Sequence, residues 1–149
     1  MPPIPSILIH LLEAGLWKHP GEDVLHDVVP WITDPLVFLP SIDQIERESR
    51  GYLADYPVSS KHMRELRGSL QALPVELPWR DVERSILVAV NRNVGDDVAI
   101  ALDFRTSQSD PRVIASAWRE DGLFWEEVAP TFTQFLRAIP VDIGALPER

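Results

Sequence analysis

The chain has no cysteine. Disulfides, thiolate zinc sites and cysteine nucleophiles are excluded together. The absence fits a reducing compartment without requiring one. Basic residues are also scarce: 14 Lys and Arg stand against 23 Asp and Glu, a formal net charge of −9. Phosphate-backbone binding needs a basic patch, so nucleic acid is disfavoured as a partner. No apolar run approaches the ~20 residues that would span a bilayer. The start, Met1 to Ser6, has no basic residue, and the run Ile7 to Leu12 is broken by His10 and followed by Glu13. That pattern argues against a signal peptide, and a cytoplasmic protein is expected. The seven glycines are scattered singly, so no Gly-rich loop can cradle a phosphate.

What is present suits one globular domain over residues 1–149. A chain of this length can bury about 70% of its unfolded surface and needs no metal or disulfide to hold it. Ile4, Ile7, Leu8, Leu11 and Leu12 fall on one face of a helix that Gly15 can end. Trp17 to Gly21 reads as a turn. Val24 to Ile32 is apolar but irregular, and Pro30 argues against a long helix there. Ser41 and Gln44 form a capping box, with Leu39 and Ile45 placed as a hydrophobic staple. A helix over Ile42 to about Arg50 follows, with Gly51 as its stop. Lys61 to Arg67 is a weaker helix, and Leu70 to Pro78 an irregular connection.

The sheet is expected beyond. Ile86 to Val90 is short, apolar and β-branched. Asn93 to Asp96 is a turn signal. Val98, Ile100, Leu102 and Phe104 then alternate with Ala99, Ala101 and Asp103, which is period 2 with one large apolar face and one small or polar face. Thr106 to Pro111 is a polar loop. Arg112 to Trp118 is a strand, Arg119 to Gly122 its hairpin turn and Leu123 to Trp125 the return. Thr131 and Gln134 make a second capping box, and Phe132, Phe135, Leu136 and Ile139 line one face of a closing helix that Pro140 stops. Helices, then antiparallel strands, then a packing helix make an α+β layer architecture.

Candidate chemistry is thin. Asp96, Asp97 and Asp103 are the first carboxylates to weigh. Asp96 and Asp97 are adjacent and point to opposite sides of an extended chain, while Asp103 lies about 20 Å beyond Asp97 on a regular strand. The plainer reading makes Asp96 and Asp97 a turn and puts Asp103 on the polar sheet face. His10, His19, His26 and His62 have no metal-ligand spacing. No serine sits in Gly-x-Ser-x-Gly. Five tryptophans, Trp17, Trp31, Trp79, Trp118 and Trp125, are core fillers first and interface anchors second. Trp118 and Trp125 flank the Glu120-Asp121-Gly122 turn and are placed to lie across from each other.

The block from Leu77 to Leu136 carries a pattern of ordered motifs. Trp79-Arg-Asp-Val-Glu-Arg84 precedes an apolar strand. Then come Gly95-Asp-Asp97, Leu102-Asp-Phe-Arg105, Asp110-Pro-Arg-Val113 and Val128-Ala-Pro-Thr-Phe-Thr-Gln-Phe-Leu136. This order resembles the SUKH superfamily, whose best-known branch is the Smi/Knr-type regulator of fungal cell-wall synthesis. A looser likeness extends back through Trp31 to Glu48. The resemblance implies a twisted, mostly antiparallel sheet with helices packed against it. It also implies a protein-binding role without catalysis or cofactor, since bacterial members are immunity proteins that neutralise polymorphic toxins, often nucleases or deaminases. Gly95, Leu102, Val128, Phe132 and Phe135 fall at positions that look like fold determinants.

With the acidic balance, that resemblance leads to a basic toxin domain as the expected partner, met by electrostatic steering and bound without catalysis by this chain. Asp96, Asp97, Asp103, Glu120 and Asp121, with Trp118 beside them, are the expected contact residues. A regulatory or scaffold protein with no toxin partner is the alternative. An enzyme would instead need a pocket gathering at least two of Asp81, Glu83, Asp96, Asp97 and Asp103.

Overall fold

The computed structural model describes residues 2–50, 77, 80–81, 84–93, 98–120 and 122–141. Gly51, the expected Lys61–Arg67 helix and nearly all of the Leu70–Pro78 connection lie outside them. The elements run α1 (Ser6–Glu13), α2 (Glu22–Val28), β1 (Leu36–Phe38), α3 (Ile42–Arg50), β2 (Ser85–Asn91), β3 (Ala99–Asp103), β4 (Arg112–Arg119), β5 (Gly122–Ala129) and α4 (Phe132–Ala138). The five strands form one sheet in the order β1-β2-β3-β4-β5, every neighbouring pair antiparallel. The fold class is α+β, as the element order implied.

Local chemistry sets the helix ends. The Gln44 backbone N–H donates to the Ser41 hydroxyl at 3.1 Å, and Leu39 and Ile45 are both buried as the staple requires. At α4 the Gln134 N–H donates to the Thr131 hydroxyl, also at 3.1 Å. After α1 the chain reverses through Gly15 at φ 71°, a left-handed conformation in which a Cβ is strained. The irregular stretch after Gly21 contains a helix that sequence periodicity did not resolve: α2 is seven residues long and stops before Pro30.

Each face of the sheet carries a buried apolar cluster. Leu36, Phe38, Ile86, Val88, Ile100, Leu102 and Val113 build the larger core with Leu8 and Leu11 of α1, Leu25 of α2, Ile45 of α3 and Phe132, Phe135 and Leu136 of α4. Trp17 lies among them, 4.8 Å from the Phe38 ring and 5.8 Å from Phe132, with its Nε1–H donating to the Val88 carbonyl. Each large side chain buried here contributes about 1.5–3 kcal/mol. The opposite face carries a second cluster of Leu87, Ala99, Ala101, Ile114 and Trp125. The small residues expected on a polar face are therefore interior, where alanine leaves room for Trp125 and Leu87.

Two irregularities adjust the alternation. Val88 and Ala89 are consecutive yet both join the larger core. The register slips between Leu87 and Ala89, so Val88 is an inserted residue and the side chains beyond it keep their faces. Likewise Val113 pairs with Ala129 and Ile114 with Glu127, which leaves Val128 as the extra residue of β5. Where β1 ends, α3 takes over the open side of β2: the Leu87 N–H donates to the Ser49 hydroxyl at 2.9 Å.

Candidate functional site

Asp103 requires a correction. The sequence puts it on a polar sheet face and among the contact residues, but it sits on β3, the third of five strands, and is fully buried. Its register partner on β4 is Arg112, whose Nε donates to Oδ2 at 2.7 Å. Arg105 reaches back from the turn after β3. Its Nε lies 2.9 Å from Oδ1 and 3.0 Å from Oδ2, and its backbone N–H also donates to Oδ1. A carboxylate held by two guanidinium groups inside the fold is a structural anchor and presents nothing to a partner.

A second buried ionic group adjoins it. Ser85 lies opposite Asp103 across the β2–β3 ladder. The Ser85 hydroxyl donates to the Asp81 carbonyl at 2.7 Å and lies 3.2 Å from Arg80 Nη1. Asp81 is fully buried, and its carboxylate accepts from Arg84 at 2.8 Å. Arg80, also fully buried, holds its guanidinium 5.5 Å from the centre of the Trp125 ring. Asp81 and Asp103, two of the five carboxylates that an enzyme would gather, thus share one end of the β2–β3 pair, each engaged by arginine. Glu83, Asp96 and Asp97 lie outside the described residues, as does Asp121.

Trp118 and Glu120 are the expected contact residues that are both described and exposed. Trp118 is 49% accessible near the end of β4, and Glu120 follows it in the turn. The two hairpin tryptophans do not face each other. Trp118 pairs with Leu123, while Trp125 pairs with Ser116 and is 1% exposed. The hairpin is longer than expected, because β5 continues past Trp125 through Glu126 and Glu127 to Ala129. Trp125 lies in the second core cluster, and Trp118, on the same face but nearer the hairpin end, is left at the surface.

A further acidic surface went unnoticed in the sequence. An open groove of about 430 Å³ is lined by Glu22, Asp23, His26, Asp27, Ile32 and Thr33. The acids come from α2, where spacing of i, i+1, i+4 and i+5 puts Glu22, Asp23, His26 and Asp27 on neighbouring positions of one helical surface. That spacing was the available signal, hidden by the irregular reading of this stretch. The next segment is tied to the sheet: the Trp31 Nε1–H donates to the Ser116 carbonyl at 3.0 Å, one residue before Ile32 of the groove and two residues before Trp118.

Chemically, the exposed carboxylates offer negative charge and the exposed indole offers apolar area. Among the described residues no three His, Asp or Glu side chains are grouped to hold a metal ion. Among the same residues no helix is long and apolar enough to cross a membrane. No family model, no curated protein and no solved structure matches the chain.

Proposed function

We propose that this chain is a protein-binding module of SUKH type that neutralises a basic toxin domain by occluding its substrate cleft. The observation that carries the reading is the division of the acids. Asp81 and Asp103 are buried against arginines, while Glu22, Glu120 and Glu127 are exposed. The surplus of nine negative charges therefore has exposed carriers with which to meet a partner. Charge complementarity of this kind accelerates encounter and disfavours acidic competitors, while a buried aromatic anchor slows dissociation. Trp118 is the anchor proposed, with Glu120 and, from the sequence, Asp96, Asp97 and Asp121 around it. The order of motifs from Trp79 to Leu136 supports the immunity reading over a generic acidic protein. A regulatory scaffold of the same family is the second reading, favoured by the same motifs and lacking only the toxin.

The test is affinity capture from the native lysate, identification of the co-purifying protein, and titration of that protein with wild type and with Trp118→Ala. Truncating a central interface tryptophan costs about 2 kcal/mol or more, so affinity should fall about 30-fold. A captured toxin whose activity is abolished on binding supports immunity. A captured protein with no toxic activity points to the scaffold reading. Equal affinity for wild type and Trp118→Ala would remove Trp118 from the interface.

A further inference from the structure

We draw no further inference here: the strongest candidate, the acidic groove along the second helix between Glu22, Asp23, His26 and Asp27, is a cluster of carboxylates with nothing in the structure to show what fills it.

Discussion

Replacing Asp103 by alanine separates a structural carboxylate from a binding one. Asp103 is fully buried, and the side chains of Arg105 and Arg112 that grip it are 3% and 8% exposed. The substitution deletes the anion and leaves two guanidinium groups inside the fold without it. Breaking a buried ion pair from one side costs about 3–5 kcal/mol, far more than the ~1 kcal/mol or less of a surface pair. For a chain of this size each kcal/mol moves the midpoint by about 2–4 °C, so Tm should fall by roughly 6–20 °C. Urea unfolding followed by tryptophan fluorescence measures the loss directly, with the slope checked against wild type. The second arm is partner affinity, measured well below the lowered Tm. The folded protein should bind as wild type does, because Asp103 is enclosed. A variant within about 0.5 kcal/mol of wild type would refute the buried triad, since surface substitutions give changes of that size. Normal stability with lost binding would return Asp103 to the interface.

Three smaller perturbations probe the rest. Ser49→Ala removes the acceptor for the buried Leu87 N–H and should destabilise by about 1–3 kcal/mol, with faster hydrogen exchange at that amide; unchanged exchange would mean α3 does not cap the strand. Thr131→Ala deletes the α4 cap and should cost about 1 kcal/mol by thermal unfolding, whereas Thr131→Ser should cost little. Trp118→Ala should leave Tm within a few degrees of wild type while reducing partner affinity, because the side chain is half exposed.

What the sequence disclosed depended on how local the signal was. The two capping boxes are four-residue patterns, and the bonds from Gln44 to Ser41 and from Gln134 to Thr131 formed where the spacing put them. The strand around Ile100 and Leu102 was legible from its alternation. The β1 strand was not, because Leu36–Phe38 is only three residues between Pro35 and Pro40, too short for a period to register. The length of β5 was hidden for another reason: Glu126 and Glu127 put charge on both faces and mask the alternation. The burial of Asp103 could not be read locally at all. Arg112 reaches it only through the β3–β4 register, which brings together residues nine apart in the chain. The exposed Trp118 and buried Trp125 were equally hidden: the β4–β5 register puts both on one face as diagonal neighbours, and only Trp125, farther from the hairpin end, joins the second core cluster.

The most direct measurement for the binding account is calorimetric titration of the captured partner at about 50 mM and about 300 mM salt, with wild type and a Glu120→Lys variant. Steering by exposed acids predicts that affinity falls about tenfold or more with salt for the wild type, and that Glu120→Lys binds more weakly at low salt with a shallower dependence. An affinity indifferent to salt, or unchanged by reversing Glu120, would contradict the claim that this protein's surplus negative charge is what its partner meets.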